Sequence, residues 1–271
     1  MSSNRPIGIL DSGFGGLSVA RAIRATIPNE DLVFAADCAY APYGDNSSEY
    51  IQARLEHVVS FLLAQKVKAL VFACNTATAV GIRAFRARLS MPIIGIEPAV
   101  FPALRHTRTG HIGVLATCRT IESQKYADVR HRAIEWAEVS RPMPVTVWDV
   151  PCPGLMECVE RGDFDSENVH ELLVRYVDPL TARNVDEIVL GCTHYPFLAN
   201  AIAKHAPKAT LIDPAPAVAQ QLERRLAALD LATPQTAPGT ERFFASGADA
   251  AREAVLRTLW SDPRARLYEM D

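Results

Sequence analysis

Residues 188–198 read IVLGCTHYPFL, and residues 70–80 read LVFACNTATAV. Each begins as a continuous apolar run and ends on a cysteine, Cys192 or Cys74, followed by polar residues. Continuous runs of four to six apolar residues, without strict alternation, describe strands buried on both faces, as in parallel sheets covered by helices. The same signature recurs at 7–10, 31–36, 92–96, 111–116, 145–150 and 210–214, and more weakly at 242–247. Amphipathic stretches lie between the runs. The clearest, SEYIQARLEHVVSFLLAQKV (48–67), puts Ile51, Leu55, Val58, Val59, Leu62 and Leu63 on one helical face. Strand and helix patterns in alternation predict an α/β fold.

Proline punctuation is densest at IEPAVFPAL, from residue 96, and IDPAPAV, from residue 212. A chain that leaves one sheet near 98 and returns near 212 forms two lobes. The expected division is 1–98 plus 212–271 for the first lobe and 99–211 for the second. Each lobe should carry a mostly parallel sheet flanked by helices, with the active site in the cleft between them. The echo between LVFACNT and IVLGCTH, about one domain apart, agrees with two related lobes.

The chain has 271 residues, 49% hydrophobic and 22% charged, with a net charge of −3, so no basic field points to nucleic acid or an anionic membrane. Arginines cluster in RAFRAR (83–88) and ERR (223–225), where solvated helix faces are expected. No apolar run approaches the roughly 18 residues needed to span a bilayer. The N-terminal MSSNRPIGILD lacks the layout of a signal peptide. A cytoplasmic protein is expected, with its six cysteines reduced.

Ligands of parallel α/β sheets sit beyond the carboxyl ends of strands. Those ends deliver Asp11 and Ser12, then Asp37 with Pro42, Tyr43 and Gly44, then Cys74, Asn75 and Thr76. Thr117 follows the fifth strand, and Cys192, Thr193 and His194 follow the seventh. The glycine-rich DSGFGG (11–16) lacks the third dinucleotide glycine and any P-loop Lys-Ser/Thr pair, and its carboxylate would face a phosphate. It reads either as a tight backbone approach offering N–H groups to a substrate carboxylate or as a structural turn. Cys74, Cys192, His194 and Asp11 are possible metal ligands, but C-x-H without C-x-x-C or H-x-x-x-H is a poor zinc signature. A cysteine hydrolase leaves Cys74 without a role, and His194 is awkwardly placed to pair with Cys192 unless the chain turns there. Buried thiols often only fill space. Two thiols at strand ends, each followed by polar residues, instead suggest acid–base chemistry at carbon, one group removing a proton and a similar one returning it. A thiol is easily brought toward neutrality by a helix N-terminus or a cation. Asp11 and His194 are natural helpers, while Cys38, Cys118, Cys152 and Cys158 read as structural.

The runs GILDSGFGGLSV, APYGDNSSE, FACNTATA, PIIGIEPA, GVLAT and LGCTHYPFL, in this order over residues 7–198, resemble the glutamate racemases of the aspartate/glutamate racemase family. The resemblance implies two related lobes and interconversion of L- and D-glutamate for peptidoglycan by a two-base route, with no cofactor and no metal. It implies Cys74 as the thiolate for the D-enantiomer and Cys192 for the L-enantiomer, assisted by Asp11 and His194. A further carboxylate is implied in GLMECVERGDF (154–164), matched by Glu160 with Glu157 also available. The implied substrate-holding set is Asp11, Ser12, Pro42, Tyr43, Gly44, Asn75, Thr76, Thr117, Thr120, Thr193 and His194. Two departures from the family's pattern touch no implied catalytic position: Cys38 and Ala39 stand where relatives usually have small polar residues, and Cys118 and Arg119 stand between Thr117 and Thr120. A small-molecule substrate is expected, with no nucleic acid or membrane partner and a homodimeric assembly. The rivals are a racemase of aspartate or another acidic amino acid and a non-catalytic two-lobed amino-acid binding protein.

Overall fold

The computed structural model describes residues 3–271 and divides the chain into two compact units. One comprises the residues up to Ile96 together with Ala215–Asp271; the other is Glu97–Pro214.

The first unit carries a six-stranded parallel sheet: β1 (Ile7–Asp11), β2 (Leu32–Ala36), β3 (Ala69–Phe72), β4 (Ile93–Gly95), β9 (Glu241–Ala245) and β10 (Leu267–Glu269), in the order β10-β9-β2-β1-β3-β4. The second carries β5 (His111–Ala116), β6 (Thr146–Pro151), β7 (Glu187–Leu190) and β8 (Thr210–Ile212), all parallel, in the order β6-β5-β7-β8. Helices intervene between the strands of both sheets, as parallel pairing requires. The nine runs expected as strands all form strands. The short β10 has no comparable apolar run; it pairs only with β9 at the sheet edge, and Tyr268 within it is half exposed.

Both sheets reverse their winding direction beside their first strand. From β1 the chain goes to β2 on one side and β3 on the other; from β5 it goes to β6 on one side and β7 on the other. At such a point the loops leaving adjacent strands diverge and open a crevice. In the first unit these loops carry Asp11 and Cys74; in the second they carry Thr117 and Cys192.

The helices α1 (Leu17–Thr26), α2 (Ser48–Ala64) and α3 (Asn75–Arg88) follow β1, β2 and β3. Helix α2 starts where Ser47 caps the Tyr50 N–H. It buries Ile51, Leu55, Val58, Val59 and Leu62 against Leu70, Phe72 and Phe85, with Leu63 at the margin of that cluster. The second core joins Val100 and Leu104 to Ile112, Val114, Val129, Val147 and Val189. Burying each such aliphatic side chain contributes about 1.5–3 kcal/mol before conformational entropy is counted.

A buried ion pair closes the opposite end of the first sheet. The Lys68 ammonium lies 2.5 Å from Glu30 Oε2 and donates to the Ser3 carbonyl at 2.6 Å, while Glu30 Oε1 accepts the Thr233 N–H at 2.8 Å. The segment around Thr233 is thus pinned here. Burial pulls the Lys68 pKa down, opposed by the contact with Glu30. Lys68→Met leaves a carboxylate buried without its cation, so a loss of about 3–5 kcal/mol is expected in urea denaturation. A loss under about 1 kcal/mol would show that Glu30 does not need its partner.

Candidate active site

The carboxylate of Asp11 ends β1 with 1% exposure. Its Oδ1 accepts the Ser12 N–H at 2.7 Å and its Oδ2 accepts the Gly16 N–H. Gly16 is required by this fold-back, because a Cβ there would lie 2.7 Å from Asp11 Cβ and 3.1 Å from Ala73 Cβ. The Gly16 N–H is thereby committed to Asp11.

The Ser12 hydroxyl lies 3.5 Å from Asp11 Oδ1 and 3.7 Å from Cys74 Sγ, so serine bridges the acid and the thiol. Cys74 is the N-cap of α3, and its sulfur accepts the Ala77 N–H at 3.4 Å. The N-terminal end of a 14-residue helix favours a thiolate there. Asn75 and Thr76 begin that helix and are buried. The Asn75 amide is 5% exposed, and neither its nitrogen nor its oxygen has a hydrogen-bond partner among the described residues. An unpaired buried amide is costly, and ligand-facing groups are a common reason for one.

The Pro42–Gly44 turn follows β2 and begins at a cis Ala41–Pro42 bond. The Tyr43 ring is buried in the apolar cluster that also contains Cys74. Its hydroxyl donates to Asp37 Oδ2 at 2.7 Å, so any contact from Tyr43 to a substrate falls to its backbone. The carboxylate of Asp37, at the end of β2, is fully engaged by side chains around it.

In the second unit β7 passes through Gly191 into Cys192. The Gly191 N–H reaches the Leu115 carbonyl at 2.7 Å, and a Cβ at Gly191 would lie 2.7 Å from that oxygen. The chain then turns sharply: the Tyr195 N–H donates to the Cys192 carbonyl at 3.1 Å, opening a short 3-10 turn, Tyr195–Leu198. This turn overcomes the alternation that made His194 look badly placed. His194 Nδ1 lies 3.5 Å from Cys192 Sγ, and its Nε2 lies 2.6 Å from Glu160 Oε1. Glu160 ends the helix Leu155–Glu160. Burial by itself pulls the His194 pKa down, but the hydrogen bonds and charges of Cys192 and Glu160 outweigh it and hold the imidazole well above its ordinary value. The imidazole thus lies between the Cys192 sulfur and the Glu160 carboxylate.

Thr117 follows β5 and caps the next helix: its Oγ1 accepts the Thr120 N–H at 3.3 Å and donates to Thr120 Oγ1 at 3.0 Å. Thr120 and Thr193 are buried. Cys152, expected as structural, is buried after β6. Burial pushes its thiol up first, and the neighbouring Cys192 pushes it further. Its carbonyl accepts the buried Tyr195 hydroxyl at 3.3 Å.

The expected residues therefore gather as Asp11–Ser12–Cys74 in one unit and Glu160–His194–Cys192 in the other. The two thiols are supported differently, one by a helix terminus and the other by an imidazolium. Among the described residues no cysteine forms a disulfide, no three His, Cys, Asp or Glu side chains are placed to hold a metal ion, and no helix is long and apolar enough to cross a membrane.

Comparison with known proteins makes the chain an isomerase acting on amino acids. The chain belongs to the Asp/Glu/Hydantoin racemase family, whose model matches residues 16–222. A glutamate racemase of Ectopseudomonas mendocina is 46% identical over 259 residues, covering 95% of each chain. Glutamate racemase of Francisella tularensis, solved in complex with D-glutamate, is 28% identical with a TM-score of 0.83, covering 99% of this chain and 98% of its own. Glutamate racemase of Escherichia coli, solved with L-glutamate and the activator UDP-MurNAc-ala, is 27% identical with a TM-score of 0.82, covering 98% of this chain and 97% of its own.

Proposed function

We propose that this chain interconverts L- and D-glutamate by a two-thiol acid–base mechanism, supplying D-glutamate for peptidoglycan. The observation that carries the reading is a thiol at the switch point of each sheet, joined to its own acid–base helper, in a chain whose relatives along its length are glutamate racemases. Cys74 meets the Cα hydrogen of the D-enantiomer and Cys192 that of the L-enantiomer. One thiolate takes the proton while the opposite thiol delivers its own to the other face. Product release leaves the protonation states exchanged.

Two local environments suit this cycle. The Ala77 N–H and the helix terminus stabilise Cys74 as thiolate, and Asp11 reaches it through Ser12. The His194 imidazolium stabilises Cys192 as thiolate, and Glu160 holds the ring in register. Removing a Cα proton beside a carboxylate requires stabilising the developing negative charge in a water-poor site. Asn75, Thr76, Thr117, Thr120 and Thr193, all buried or nearly so, supply hydrogen-bonding groups for the substrate's charged ends. In this reading Ser12, Pro42, Tyr43 and Gly44 complete the pocket, and the enzyme works in the cytosol as a homodimer without cofactor or metal.

The test is chiral chromatography of glutamate incubated with the purified protein in deuterium oxide. Inversion of either enantiomer, with one deuterium entering at Cα, is expected; unchanged glutamate, or inversion of aspartate alone, overturns the reading. Light scattering checks the dimer.

A further inference from the structure

The carboxylate of Asp37 is completely buried, and four donors converge on it. Arg54 presents its guanidinium as a fork, Nε to Oδ2 and Nη2 to Oδ1, both at 2.8 Å. The Tyr43 hydroxyl donates to Oδ2 at 2.7 Å, and Ser246 Oγ donates to Oδ1 at 3.0 Å. Both oxygens thus accept two bonds each, leaving no room for proton transfer to a substrate. The donors come from three places: α2, the Pro42–Gly44 turn and the residue following β9. Ser246 also accepts the Ala39 N–H at 3.0 Å, so it fixes the near end of the same loop. The Arg54 guanidinium lies 3.4 Å over the Tyr40 ring, adding a contact inside the loop. Burial, and then the negative charge of Asp37, raise the Tyr43 pKa far above the ordinary phenol range, so its hydroxyl remains a donor at any working pH.

Every side-chain contact of this network falls on residues 37–43 or on the groups that hold them. The loop that carries Pro42, Tyr43 and Gly44 runs between β2 and α2 and contains two short 3-10 turns, Cys38–Tyr40 and Tyr43–Asp45. Within the loop, the Asn46 side-chain amide donates to the Pro42 carbonyl at 2.7 Å, and the bonds from Arg54 and Ser246 come from outside it. A bidentate Arg–carboxylate pair supplies direction as well as energy, and a substrate-holding turn requires direction.

We propose that Asp37 and Arg54 are positioning residues that lock the Pro42–Tyr43–Gly44 turn into the shape that receives the substrate. The assignment rests on the racemase reading for the identity of that substrate, but the locking itself is a property of the loop. Binding then suffers more than chemistry when the lock is released, because neither residue touches a thiol.

The experiment compares Arg54→Met, Arg54→Lys and Tyr43→Phe with wild type, using racemisation kinetics and hydrogen–deuterium exchange at the amides of residues 39–47. Arg54→Met is expected to raise KM for glutamate about tenfold or more while kcat stays within about threefold. Arg54→Lys, which keeps the charge but not the fork, recovers part of the KM. The 39–47 amides exchange faster in Arg54→Met, while those of β1 keep wild-type protection. Tyr43→Phe removes only the bond to Asp37 and gives a smaller change in the same direction, which keeps the test informative if Arg54→Met fails to fold. Wild-type exchange at 39–47 in Tyr43→Phe and in whichever Arg54 variants fold overturns the lock, whatever the activity. A kcat that falls with thermal stability while KM stays at the wild-type value, without rescue by lysine, also overturns it. An inactive wild type sinks the racemase reading alone, and the exchange result still decides the loop.

Discussion

Cys74→Ala and Cys192→Ala each lose inversion of glutamate by about 10³–10⁴-fold, because a two-sided proton transfer has no partial form. A positioned acid or base contributes up to about 10⁴-fold. The two variants should differ in exchange. Cys74→Ala keeps the thiol assigned to L-glutamate, so deuterium enters the L-enantiomer faster than D-glutamate accumulates. Cys192→Ala shows the mirror pattern. Both thiols fill small buried sites, 6% exposed each, so alanine should leave the thermal midpoint nearly unchanged and the loss can be read as chemistry. Inversion within about tenfold of wild type in either variant would end the two-base assignment.

Much of this was visible in the chain itself. Strands buried on both faces are written as unbroken apolar runs, and nine strands could be placed from them to within about two residues at each end. The cysteines stood out because they interrupt the rule that such strands end in tight turns. Relationships set by tertiary structure were less visible. His194 at two residues from Cys192 looks opposed on a strand, and only the turn closed by the Tyr195 N–H brings the pair to 3.5 Å. Glu160 and Glu157 could not be separated by spacing, since both lie in one short helix; the hydrogen bond to His194 distinguishes them. Arg54 gave no signal at all. It sits on the exposed side of an amphipathic pattern, 17 residues from the carboxylate it binds, where a solvated charge is the ordinary expectation. Strand β10 escaped because a three-residue edge strand, held by Glu253 through the Leu267 N–H and by Glu269 through the Gly247 and Ala248 N–H groups, needs no apolar run.

Glu160→Gln tests the second half-site through both rate and pH. Glutamine preserves the shape but removes the charge opposite His194 Nε2, 2.6 Å away, and so removes one of the two interactions holding the imidazole protonated. A less cationic His194 supports the Cys192 thiolate poorly, and a fall in kcat/KM of about 10²-fold is expected. The two enantiomers have an equilibrium constant of unity, so kcat/KM must fall by the same factor in both directions. Any asymmetry can appear only in how kcat and KM divide that loss. Stability gives an independent reading. The folded-state pKa of His194 is raised above its unfolded value, so the stabilisation from its charged form is fully present below the unfolded pKa and is lost as pH rises through the folded one. Wild type should therefore lose thermal stability through the alkaline range beyond neutrality, and Glu160→Gln should lose less there, having less to lose. Identical pH–stability curves for the two proteins, together with unchanged kinetics, would show that the imidazole does not rely on Glu160 for its proton.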